Sequence, residues 1–108
     1  MPFGDFQKSS KDIQLLSEHI LAAECEVPGS GYNHSEMDLD NCLGDDNGNF
    51  QWGGRNFHSH AHNIIFHPDE GVAHVPVLRA DLDGGSKQSN VNLGERIGNV
   101  NGHLVFRW

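Results

Sequence analysis

The chain states one pattern twice, and any fold it adopts has to house both copies. Residues 37–52 read MDLDNCLGDDNGNFQW and residues 91–106 read VNLGERIGNVNGHLVF. At an offset of 54 they share Leu39/Leu93, Gly44/Gly98, Asn47/Asn101 and Gly48/Gly102. Apolar residues also coincide at Met37/Val91, Leu43/Ile97, Phe50/Leu104 and Trp52/Phe106. The front of each copy repeats at an offset of 51, with Phe6, Ile13 and Leu15 against Phe57, Ile64 and Phe66. Between these stretches, residues 20–25 align with residues 77–82. The changing offset implies insertions in loops, with about six residues added around 67–75 and about three lost after Asp83. Two copies are too few for a solenoid, which needs roughly three stacked units. One pseudosymmetric domain over residues 1–108 is expected, with repeats at 1–54 and 55–108.

Short strands carry this pattern. Asn49-Phe50-Gln51-Trp52 alternates polar and apolar residues, as does the stretch from His103 to Trp108. Each follows an Asn-Gly pair, which suits a type I′ turn because both central residues take positive φ. Each repeat is therefore expected to end in a tight hairpin. Its first arm is placed at residues 37–39 or 91–93, with a helical turn at 40–43 or 94–97. Further strands are expected near 13–15, 20–26, 63–66 and 77–82. Pro28-Gly29-Ser30-Gly31 and Asp83-Gly84-Gly85 read as turns, and Trp52-Gly53-Gly54-Arg55 joins the repeats. No helix longer than two turns emerges, so the fold class is mostly β with short helical turns.

Charge narrows the partners. The formal net charge is −8, with ten acids against Lys8 and Lys11 in residues 1–54. Such a chain offers no basic stripe for phosphate backbones or anionic lipid, so neither nucleic acid nor membrane is expected as a partner. No stretch approaches the roughly 18 apolar residues of a membrane span. The opening MPFGDFQKSS lacks the features of a secretory signal. A cytoplasmic location is expected, with release by a non-classical route left open. Cys25 and Cys42 sit among apolar neighbours and read as buried free thiols.

Several local motifs suggest chemistry without supporting it. On a strand, His58, His60 and His62 would share one face and could hold zinc or copper. No carboxylate or cysteine follows at ligand spacing, so no metal site and no cofactor are expected. Asp45-Asp46-Asn47-Gly48 fails as a calcium loop, because the first and twelfth positions would fall on Leu43 and Gly54. Glu24 and Glu26 share a strand face and admit a glycoside hydrolase, but nothing in the sequence builds a cleft around them. Solvated face charges are the expected reading.

The paired hairpins, read with Phe6, Cys25, Gly31-Tyr32-Asn33 and Asn56-Phe57, resemble the cyanovirin-N homology family of lectins. The resemblance covers essentially the whole chain. It implies two pseudosymmetric halves, each a three-stranded sheet from one repeat plus a β-hairpin exchanged from the other. It also implies a metal-free, non-enzymatic lectin for mannose-rich glycans, typically α(1→2)-linked mannose ends, with mannose-containing oligosaccharides or glycoproteins as partners. The first site it implies, and the favoured one, comprises Asp5, Lys8, Ser9, Glu26, Asn99, Val100 and Asn101. The second comprises Gly44, Asp45, Asp46, Asn47, Arg55, Asn56, Ser59, His60, Asp83, Gly84 and Gly85.

Departures from the family pattern are informative. Cys25 lacks a cysteine partner near Ser10, and the second repeat offers Ala61 and Leu82, so the chain resembles the disulfide-free homologs. Asp5 stands for a family Lys and Asn101 for an Asp in the first site. Ser59 replaces a Glu, and Asp83-Gly84-Gly85 replaces a basic-polar turn, which weakens the second. A monomer is expected, with a domain-swapped dimer open. Two alternatives stand beside the lectin: a protein-interaction domain with decayed sugar sites, and a small β-fold glycoside hydrolase.

Overall fold

In the computed structural model, which describes residues 3–107, the two repeats trade hairpins. Repeat one supplies a 3-10 turn η1 (Phe6–Ser9) and the strands β1 (Ser10–Leu16), β2 (Ile20–Val27) and β3 (Gly31–Asp38), which pair antiparallel in that order. Next come η2 (Leu39–Asn41) and a separate hairpin, β4 (Leu43–Asp46) with β5 (Asn49–Trp52). Repeat two gives η3 (Phe57–His60), the sheet β6 (His62–Glu70), β7 (Val75–Leu82) and β8 (Lys87–Asn92), then η4 (Leu93–Glu95). It ends in the hairpin β9 (Ile97–Val100) with β10 (His103–Phe106). Strand β10 packs on β3 and β5 packs on β8, so each half is a composite of both repeats.

The repeat alignment marks the core. Phe6 and Phe57 are both fully buried, as are Leu39 and Leu93, Leu43 and Ile97, and Leu21 and Leu78. Ile13, Leu15, Ile64 and Phe66 pack against this cluster from its margin. Cys25 and Cys42 are buried and unbonded, and burial pushes the Cys42 thiol up to about 12.

Both Asn-Gly turns have the expected geometry. Asn47 and Gly48 take φ of 51° and 89°, and Asn101 and Gly102 take 50° and 86°. The first arms of the hairpins lie elsewhere than the sequence suggests. They are Leu43–Asp46 and Ile97–Val100, directly abutting the turns. A two-residue loop leaves no room for a helical turn between arm and loop. Residues 37–38 and 91–92 instead end the third strands β3 and β8, and the helical turns begin one residue early, at Leu39 and Leu93. Asp38 and Asn92 cap these turns, accepting from Asp40 N–H at 2.9 Å and Gly94 N–H at 2.8 Å.

Two further expectations change. Residues 57–60 form η3, not a strand, so His58, His60 and His62 do not line one strand face. The insertion at 67–75 lengthens both arms of the β6–β7 ribbon rather than forming a loose loop. Arg79 braces that extension by a two-pronged bond to Glu70, at 2.6 and 3.0 Å. The expected strand end at Trp108 lies outside the described residues.

Candidate functional site

The first candidate cluster exists only because the hairpins are exchanged. Asp5 takes a left-handed φ of 56° and opens η1, and its N–H donates to Gly94 O at 2.7 Å. Lys8, one turn on, reaches Asp5 at 3.5 Å. Asn99, from the β9–β10 hairpin of repeat two, then ties the pieces together. Its amide nitrogen donates to Ser9 O at 3.2 Å, Ser9 Oγ at 3.0 Å and Glu26 O at 3.0 Å. Its Oδ1 accepts from Gly102 N–H at 2.8 Å, which pins the turn. Both ends of this amide are thus engaged inside the protein, so Asn99 positions the cluster. The groups left facing solvent are Asp5, Lys8, Glu26, Val100 and Asn101.

The second cluster is the same scaffold with the polarity reversed. Asp45 occupies the place of Asn99. Its Oδ1 accepts from Gly48 N–H at 2.7 Å and its Oδ2 from Asp83 N–H at 2.9 Å. Lys87 donates to Asn47 O at 3.1 Å and covers the turn. A Cβ on Gly48 would lie 2.3 Å from Lys87 Cδ, so that position is kept bare by its neighbour. Gly84 N–H donates to His60 O at 3.2 Å, and Ser59 Oγ donates to Asn56 O at 2.9 Å. Asp46, Asn47, Arg55, Asn56, Ser59, His60, Asp83, Gly84 and Gly85 are exposed. Gly44 is not: it is buried against the backbone of Gly54 and Arg55. Lys87 is absent from the sequence-derived set, because only the docked hairpin brings it to Asn47.

What such surfaces can do follows from their atoms. Carboxylates and amides present two polar atoms in one plane and can engage both hydroxyls of a vicinal diol. The two carboxylates that a hydrolase would use are placed differently. Glu24 bonds to His34 across the sheet, and Glu26 sits in the first cluster at the end of β2. His58 lies against Asp40 and stacks on His19 rather than joining His60 and His62.

The CVNH domain family model matches residues 6–105. A cyanovirin-N homolog of Neurospora crassa is 43% identical over 92 residues, which is 82% of this chain and 83% of that one. The solution structure of GzCVNH from Gibberella zeae superposes with a TM-score of 0.88 at 48% identity, covering 96% of this chain and 98% of that one. The crystal structure of the MoCVNH3 variant in complex with (N-GlcNAc)4 superposes with a TM-score of 0.82 at 28% identity, covering 96% and 97%.

Proposed function

The chain belongs to the CVNH domain family, and from that premise we propose that it is a carbohydrate-binding lectin without enzymatic activity. Its ligands are mannose-rich glycans read at α(1→2)-linked mannose ends, and no metal takes part in the sugar contact. The observation that carries this reading is the interlock at Asn99, which gathers Asp5, Lys8, Glu26 and Asn101 from both repeats onto one exposed surface. Fixed backbone and exposed polar side chains together suit a ligand made of hydroxyl pairs. The first cluster is the stronger site. The second supports weaker binding, because glycines fill its Gly84-Gly85 turn and Ser59 directs its hydroxyl at Asn56 O.

The complex of the MoCVNH3 variant favours a second reading, in which N-acetylglucosamine oligomers are the ligand. The experiment that decides is a pair of ¹H–¹⁵N titrations, one with α(1→2)-mannobiose and one with (N-GlcNAc)4. Mannobiose should shift residues 5–9, 26 and 99–101 first. Shifts only with the N-acetylglucosamine oligomer would overturn the mannose assignment. Shifts with neither sugar would point to a protein-interaction domain with decayed sugar sites.

A further inference from the structure

We propose that His19, Asp40 and His58 form a site for a divalent transition-metal ion of the zinc type, separate from the sugar contacts, that clamps the junction between the two repeats. The three residues come from three elements: the turn before β2, the turn η2 of repeat one and the turn η3 of repeat two. Their donor atoms all lie within 4.8 Å of one another. Asp40 Oδ2 is 3.4 Å from His58 Nδ1 and 3.6 Å from His19 Nδ1. A tetrahedral ion about 2.0–2.1 Å from its ligands holds them about 3.3–3.4 Å apart, so the Asp40–His58 edge already has the required length and the Asp40–His19 edge exceeds it by only about 0.2 Å. Two imidazoles and a carboxylate are a donor set that suits zinc.

The donors are held before any ion arrives. His19 and His58 stack with ring centroids 4.6 Å apart and planes 23° from parallel. Leu39 N–H donates to His19 O at 2.8 Å and fixes the turn that carries the first imidazole. Asp40 Oδ1 accepts from His58 N–H at 3.1 Å, which leaves Oδ2 to face the imidazoles. Asp38 Oδ1 lies 2.8 Å from His19 Nδ1. An ion on that nitrogen takes the place of the proton it shares with Asp38, so the Asp38 carboxylate has to turn aside or join the ion as a fourth ligand. Side-chain exposures of 22%, 17% and 40% for His19, Asp40 and His58 leave one open side for entry.

The pseudosymmetric half shows that the fold does not demand these groups. Its capping residue is Asn92, where Asp38 stands here. At the counterpart of Asp40 it carries Gly94, and at the counterpart of His58 it carries Gln7, whose Oε1 lies 2.6 Å from the place a Cβ on Gly94 would occupy. The cap is common to both halves, while the second acid and the imidazoles belong to one. A turn that needs only an Asx cap and a small or amide neighbour has acquired three ligands on one side only.

The test uses ZnCl2 in calorimetric titration and Co²⁺ in visible absorption on the whole chain. One equivalent should bind, Co²⁺ should show the intense visible band of four-coordinate geometry, and the His19 and His58 ring resonances should move together. His58→Gln and Asp40→Gly copy the residues of the other half, so both should fold, as circular dichroism will report. Each should weaken zinc at least tenfold, while His62→Gln and His103→Gln should leave affinity unchanged. No saturable binding up to millimolar zinc would overturn the proposal. So would full affinity in His58→Gln and Asp40→Gly together with loss in His62→Gln or His103→Gln. Neither outcome depends on a sugar, so the lectin reading stands or falls separately.

Discussion

At Asn99 and Asp45 the two repeats place an amide and a carboxylate in the same structural position, and the neighbours have opposite polarity to match. Asn99 offers N–H groups to the carbonyls of Ser9 and Glu26, whereas Asp45 offers an oxygen to the N–H of Asp83. The pair is therefore not interchangeable. Asn99→Asp turns an anion toward two carbonyl oxygens and should cost about 2–3 kcal/mol in urea denaturation, with mannobiose affinity falling in parallel. Asp45→Asn sets an amide N–H against an N–H donor and should cost about 1–2 kcal/mol. A neutral outcome at both positions would show that these bonds do not brace the clusters. At His34, Glu36 and then Glu24 bond the two ring nitrogens and raise the imidazole above its ordinary value near 6.5. A raised folded value stabilises the protonated form. Its contribution is complete below about pH 6.5 and is lost as pH rises through the folded value. A His34 proton titration by NMR should thus have its midpoint above 6.5, and Glu36→Gln should bring it down; a midpoint at or below 6.5 would refute the assignment. The side-chain identities behind both predictions were plain in the sequence. The partners of Asn99 were not, since Asn99 and Ser9 are 90 residues apart.

Among the elements, the exchanged hairpins explain why two strands are hard to read from the sequence. The inward residues of β3 include Asn33 and Ser35, which bond Gly102 O at 2.7 Å and Leu104 N–H at 3.0 Å. In β8, Ser89 Oγ accepts from Phe50 N–H at 3.4 Å. These strands receive a neighbouring hairpin's backbone, so polar residues occupy most of their inner faces, with Met37 and Val91 the apolar residues at their ends, and the hydrophobic alternation is too short to read. The seat is tight. A Cβ on Gly102 would lie 2.6 Å from Val27 Cγ2 and 2.8 Å from Asn33 Cβ, at a φ of +86°. Gly102→Ala should therefore cost about 1–3 kcal/mol and displace the first cluster along with the hairpin. An unchanged denaturation midpoint would mean that the β9–β10 hairpin is not docked on β3 as described.

For the whole molecule, the link between repeats governs whether the exchange stays within one chain. Gly53 N–H donates to Cys42 O at 2.8 Å and Gly54 N–H to Gln51 O at 3.2 Å, so the link closes as a turn. Gly53 does so at a φ of 83°, which glycine adopts freely. A monomer is the expected state in dilute solution by light scattering. Gly54→Ala would set a Cβ 2.8 Å from Gly44 Cα and strain the closed link. That variant should shift the population toward a dimer that trades hairpins between chains. A wild-type dimer, or a Gly54→Ala protein that stays wholly monomeric, would contradict this account. Binding strength also belongs to this scale. A disaccharide of about 23 non-hydrogen atoms at about −0.3 kcal/mol each reaches about −7 kcal/mol, or on the order of 10 µM per site. Tighter binding would require a larger glycan or both clusters acting together, and nanomolar affinity for mannobiose in a monomer would refute the estimate.

The doubled architecture, the Asn-Gly turns, the buried core pairs and the free thiols are all legible along the chain. Each of these depends on local dihedral preference or on burial patterns that repeat along the chain, and such signals survive in one dimension. The fold alone shows which arm pairs with which, where β3 and β8 run, and that Asn99 faces inward while Gly44 is buried. It also decided that His58 meets His19 and Asp40 rather than His60 and His62. The Asn99 and His58 contacts join polar groups far apart in the chain and exist only once the two repeats meet, whereas the hairpin pairing and the burial of Gly44 follow from a short loop and from backbone packing nearby, which leave no distinctive side-chain signal.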